Sequence, residues 1–134
     1  MSKMLRHKDL RKKYGFKEPW IGCDLDGVLA MSIGWHGYSY IGEPIKPMLA
    51  RVKKWIKQGK KVKIFTARAD VGQEAIGPIQ DWCEKQGLGR LEVTNVKDSG
   101  MVEMWDDLAI KVLENRGQPC CKYKKNWKTK AVYG

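Results

Sequence analysis

Two aspartates one residue apart, Asp24 and Asp26, occur in the segment Cys23-Asp24-Leu25-Asp26-Gly27-Val28-Leu29, directly after the apolar run Trp20-Ile21-Gly22-Cys23. A short buried strand that ends where polarity begins places both carboxylates at its carboxyl end. In extended geometry residues two apart point the same way, and Gly27 permits a tight turn straight afterwards. The chemistry suited to such a pair is phosphoryl transfer. A phosphoryl group is anionic, so a carboxylate nucleophile has to be screened from it. Mg²⁺ does this by binding one or two carboxylates together with phosphate oxygens and waters. Asp24 can then act as metal ligand and nucleophile, forming an aspartyl-phosphate. Asp26 can protonate the leaving oxygen and then activate water.

Further polar groups follow other apolar runs. Thr66 follows Val62-Lys63-Ile64-Phe65, Lys97 follows Leu91-Glu92-Val93-Thr94, and Asp106-Asp107 follow Val102-Glu103-Met104-Trp105. Thr66 and Lys97 offer a hydroxyl and a cation to the equatorial oxygens of a transferring phosphoryl group. Thr66 could instead cap the turn after its strand, and Lys97 could be a solvated lysine beside Asp98. Asp106 and Asp107 can complete a metal site, because two adjacent like charges after an apolar strand are costly without a cation. Arg68 either contacts substrate or pairs with Asp70 or another surface acid, the ion pair being the favoured reading. His36 is a candidate substrate contact within an aromatic stretch (Trp35, Tyr38, Tyr40) that otherwise forms a small satellite cluster. A calcium loop is excluded for Asp24–Asp26: a strand precedes it, Val28-Leu29-Ala30 is apolar, and no carboxylate closes the loop.

The elements that must position these groups alternate between two periods. Residues 30–46 are rich in Gly, aromatics and Pro and read as a loop or hairpin flap. Pro47 opens a helix with Met48, Leu49, Val52, Trp55 and Ile56 on one face, stopping at Gly59. A second helix is predicted over 73–86, with Ile76, Ile79, Trp82 and Cys83 buried and Pro78 starting or bending it. Residues 109–113 fit a fifth strand or a helical turn. Strands alternating with helices imply a parallel sheet with right-handed crossovers, whose ligand crevice lies at the carboxyl ends of the strands. All four polar groups fall at or just after such ends.

With those residues in place the chain resembles the haloacid dehalogenase superfamily of phosphatases. Four motifs occur in order over roughly residues 19–113: Asp24-Leu25-Asp26-Gly27-Val28-Leu29, then Thr66 in Phe65-Thr66-Ala67-Arg68, then Lys97, then Asp106-Asp107. The resemblance implies a three-layer Rossmann-like α/β domain with a central parallel sheet, Asp24 as nucleophile and Asp26 as acid/base. It implies Mg²⁺ held by the Asp24 carboxylate, the Asp26 carbonyl and Asp106 or Asp107. The gaps between motifs leave no room for a cap domain, as in the small stand-alone members often encoded by bacteriophages and prophages. An open site suits a macromolecular phosphate, or an oligomer whose neighbour acts as lid.

Composition bounds the rest. The 134 residues suit one catalytic domain, 19–115, between a basic extension (1–18) and a basic tail (116–134). The net charge of +11 comes from those ends, +5 and +6, and the middle is neutral. Clustered Lys and Arg gain from counterion release on a nucleic acid, and Tyr123, Trp127 and Tyr133 could stack on bases; solvated ends that aid solubility are the plain alternative. The four cysteines form no metal pattern and read as reduced thiols. No run approaches the ~20 apolar residues of a membrane span, and the basic start lacks the apolar stretch of a secretory signal. The expectation is a cytoplasmic, Mg²⁺-dependent phosphomonoesterase acting on a nucleotide or nucleic-acid terminal phosphate. The other readings are a phosphotransferase, or a nucleic-acid-binding protein on the same fold with little or no catalysis.

Overall fold

A computed structural model describes residues 7–123. Residues 1–6 and 124–134, including Trp127, Tyr133 and most of the C-terminal lysines, lie outside the described residues. The described elements are α1 (His7–Tyr14), β1 (Trp20–Cys23), α2 (Lys46–Lys57), β2 (Val62–Phe65), a 3₁₀ turn (Ala67–Val71), α3 (Gln73–Lys85), β3 (Glu92–Thr94) and β4 (Met101–Trp105). Helix α1 falls in the stretch read as an extension and was not expected.

The four strands form one all-parallel sheet in the order β3-β2-β1-β4. Strand β1 is central and fully buried, which is why its sequence is a continuous apolar run rather than an alternating one. Ile21 pairs with Val62 and Cys23 with Ile64, and these face the same core as Met48, Val52 and Trp55 of α2 and Ile79 and Cys83 of α3. Both helices therefore cover one face of the sheet. This follows from the topology, since β1-α2-β2 and β2-α3-β3 step the same way across the sheet and right-handed crossovers put them on the same side.

The opposite face holds Trp20, Lys63 and Phe65. The Trp20 and Phe65 rings stack with centroids 6.5 Å apart, and the Lys63 ammonium lies 4.4 Å from the Trp20 ring centroid. No helix joins β3 to β4. The short connection 95–100 runs between the two edge strands, tied down by Asp98. The Asp98 carboxylate accepts from Trp20 Nε1 at 2.7 Å and from the Gly100 amide at 2.8 Å, and its other oxygen is 3.7 Å from Lys63 Nζ. Six residues are too few for a helical crossover. The α/β sheet is as expected, but the described β-to-β connections supply helices to one face only.

Strands β1 and β2 match their predicted ranges, and α2 and α3 are within a residue or so. The 109–113 segment is neither strand nor helix. It forms one side of a small hairpin, with Leu113 N donating to Gln118 O and Cys120 N to Lys111 O, both at 2.8 Å. Ile110 and Val112 remain exposed, because no further strand among the described residues covers them. Among the described residues no helix is long and apolar enough to cross a membrane.

Candidate active site

Asp24 is the first residue past β1, and its amide extends the β1–β4 pairing by donating to Trp105 O at 2.9 Å. One carboxylate oxygen, Oδ1, accepts from the Leu25 amide at 2.8 Å. The other, Oδ2, is buried with no hydrogen-bond donor. The chain then doubles back on Leu25, whose carbonyl accepts from Val28, Leu29 and Ala30. Gly27 makes this possible in two ways. It has φ +87°, and a Cβ there would lie 2.9 Å from Asp107 Oδ2. A side chain at residue 27 would be strained by the positive φ and would push the Asp107 carboxylate, two residues past β4, away from the β1 loop.

Because β4 lies beside β1, Asp106 and Asp107 arrive next to Asp24, and one oxygen from each of the three lies within 4.8 Å of the others. Burial is the main force on Asp24. With the charge of Asp106 next, opposed by the Leu25 hydrogen bond, and then that of Asp107, it pushes the Asp24 carboxyl up from 3.8 to about 8. A buried carboxylate oxygen without a donor, facing two more carboxylates, meets the requirements of a hard divalent cation. An oxygen-only donor set of this kind could hold Mg²⁺, Ca²⁺ or Mn²⁺. Asp24, Asp106 and Asp107 are the side chains able to hold the ion.

Asp26 occupies a different environment. It is buried, and Arg68 grips it with two parallel bonds, Nε to Oδ2 at 2.9 Å and Nη2 to Oδ1 at 2.8 Å. Arg68 is itself buried, at 5% exposure. Its ion-pair partner is therefore this interior carboxylate and not Asp70 or another surface acid. Its remaining arm, Nη1, donates to the carbonyls of Tyr38 and Tyr40 at 3.3 and 3.0 Å. Nothing in this arrangement leaves the guanidinium facing substrate.

Thr66 follows β2 and is buried. Its amide donates to Thr94 O at 3.0 Å, and its hydroxyl accepts from the Arg68 amide at 3.2 Å, capping the 3₁₀ turn. The capping role is thus the one seen, and it sets Arg68 in place.

A cavity of about 400 Å³ opens over these strand ends, lined by Asp24, Phe65, Ala67, Asp70, Asn95 and Asp106. The residue that the end of β3 contributes is Asn95. Lys97 is exposed and is not part of the lining. His36 is exposed in the flap, its ring 5.0 Å from that of Tyr40, and likewise does not line the cavity. Asp70 and Asn95 were not singled out from sequence; their only signal was proximity to strands β2 and β3. The chain matches no protein-family model, no curated protein and no solved structure.

Proposed function

We propose that this protein is a Mg²⁺-dependent phosphomonoesterase working through an aspartyl-phosphate on Asp24. The observation that carries the reading is the convergence of Asp24, Asp106 and Asp107 at adjacent strand ends, with Asp24 Oδ2 buried and lacking a donor. Spending three carboxylates in one place is costly for stability unless a cation joins them. Bound Mg²⁺ would keep Asp24 ionised and offset the charge of the phosphoryl oxygens.

The residues divide the work as follows. Asp24 attacks phosphorus, the phosphorus–oxygen ester bond breaks, and the leaving oxygen takes a proton from water. Asp26, paired as a carboxylate with Arg68, removes a proton from a second water as that water attacks phosphorus, and then gives this proton up to the hydroxide left by the first step. Inorganic phosphate departs and both aspartates return to their starting forms. The Asn95 side-chain amide, in the cavity lining, is a neutral donor available to phosphoryl oxygens. The arrangement favours a capless haloacid dehalogenase-like phosphatase, with the finer three-layer packing part of the same proposal.

The substrate class follows from charge. The cavity lining carries three acids, one amide and no Lys or Arg, whereas the chain ends carry +5 and +6. A nucleotide or nucleic-acid terminal monophosphate is the substrate class proposed, because clustered Lys and Arg at the chain ends would gain from counterion release on a nucleic acid. Hydrolysis of p-nitrophenyl phosphate, with and without Mg²⁺, tests the reaction. Wild type should turn over only with the metal and Asp24→Asn should be inactive; equal turnover by the two proteins would remove Asp24 as nucleophile.

A further inference from the structure

The flap between β1 and α2 leaves from and returns to the carboxyl end of the sheet, because β1 ends at Cys23 and α2 starts at Lys46. The cavity is at that same end, and two of its lining residues, Ala67 and Asp70, belong to the 3₁₀ turn after β2. Arg68, between those two, joins the turn to the flap. Its Nη1 donates to the carbonyls of Tyr38 and Tyr40 at 3.3 and 3.0 Å, and its guanidinium carbon lies 5.3 Å from the centroid of the Trp35 ring. The flap tip is therefore seated beside the cavity.

The flap backbone is held, whereas its large apolar side chains are not buried. At the base, Met31 N donates to Glu43 O and Ile45 N to Leu29 O, each at 2.8 Å, and Trp82 Nε1 donates to Gly42 O at 3.2 Å. Met31, Ile33, Trp35 and Tyr40 are nevertheless exposed. Exposed apolar residues scattered singly are ordinary, but four within ten residues, on a held backbone beside a cavity, are the pattern of a recognition surface. Trp35 is the best oriented of them. The Arg68 guanidinium lies against its ring, and the Tyr38 ring meets it edge-on with centroids 4.8 Å apart, yet 42% of Trp35 is open to solvent. A flat ring fixed in this way loses little freedom when a second ring stacks on it.

We propose that the flap tip is a base-recognition platform, on which the nucleobase next to the reacting phosphate stacks against Trp35. This rests on the phosphomonoesterase reading, which puts the phosphate in the cavity. The remainder of a monoester then extends out of the cavity, and the surface waiting beside it is apolar and aromatic. A nucleobase is the flat, uncharged group of the substrate class proposed above, and every base has a π-face that an aromatic side chain can cover.

Adenosine 5′-monophosphate compared with ribose 5-phosphate, which lacks the base, tests it. Trp35→Ala should lower kcat/KM for the nucleotide relative to the sugar phosphate on the order of tenfold, the change falling on KM, as expected for loss of one base–aromatic stack. Trp35→Phe keeps a flat ring and should retain most of the preference. Both variants should fold, since the tip is fastened through carbonyl oxygens. Adenosine has no phosphate to lose and reads the platform apart from the reaction. The Trp35 indole N–H resonance, identified by its absence in Trp35→Phe, should shift saturably with adenosine and stay in place with ribose. A preference that survives Trp35→Ala, no preference in wild type, equal losses in the two variants, or an indole resonance unmoved by adenosine would overturn the proposal. Should wild type hydrolyse neither ester, the phosphatase reading fails on its own, and the adenosine titration decides whether the platform exists.

Discussion

Asp24 should be a stability liability in the metal-free protein, and Asp24→Asn should show it. Burial and the facing carboxylates raise this carboxyl from 3.8 to about 8. The sign follows from proton binding: between those values the folded chain holds a proton that the unfolded chain has released, so stability falls as pH rises. The advantage of the protonated folded state is complete below pH 3.8 and is gone above about pH 8. At ~1.4 kcal/mol per unit the whole interval is worth on the order of 5 kcal/mol. Relaxation and water entry around a partly buried charge reduce the expected gain from Asp24→Asn near pH 7.5 to about 2–4 kcal/mol. Urea denaturation in the presence of a chelator, at several pH values from 4 to 8, measures it. The variant should be more stable than wild type, by a margin that widens with pH. Added Mg²⁺ should stabilise wild type and close the gap, because a ligand bound only by the folded state adds to its stability. Coincident unfolding curves across that pH range, or a margin that shrinks as pH rises, would refute the reasoning.

Gly27→Ala should cost about 1–3 kcal/mol, since it forces a Cβ onto a positive φ and towards the Asp107 carboxylate. Thermal melting reads the stability, and calorimetric Mg²⁺ titration should show weaker binding than wild type because Asp107 is displaced. Asn95→Ala should raise KM for p-nitrophenyl phosphate several-fold, roughly the loss of one hydrogen bond at ~1 kcal/mol, whereas Lys97→Ala should leave kcat/KM within about a factor of two. Steady-state kinetics on the two variants distinguishes them, and a larger loss from Lys97→Ala would restore that lysine to the site.

What the sequence made legible is what backbone periodicity controls. Strand β1 is a continuous apolar run because both its faces are buried, β2 is apolar but for Lys63, and each is followed directly by a polar residue, Asp24 or Thr66. That single rule places Asp24, Asp26, Thr66 and Asp106/Asp107 on one sheet edge, and the carboxylates do gather there. The rule fails where an outcome depends on which elements lie side by side. Residues 109–113 carry a strand-like apolar pattern, yet a strand needs a partner and the hairpin at 111–120 gives them only each other. Past the end of β3, Asn95 lines the cavity and Lys97, two residues further along the loop, is exposed.

Arg68 is the sharpest case. Its neighbour in sequence is Asp70, but a five-residue 3₁₀ turn carries the guanidinium inward, across 42 residues of sequence, to Asp26. A surface pair with Asp70 would be worth little in water, whereas the interior pair lets both a buried cation and a buried anion exist at all. The alternation of β1 put Asp24 and Asp26 on the same sheet edge, but the fold gives them opposite electrostatic surroundings. Asp24 faces only like charge and calls for a cation from solution, while Asp26 already has one from the chain. Under the proposed reaction that difference separates their parts, Asp24 towards metal and phosphorus and Asp26 towards the water that hydrolyses the intermediate.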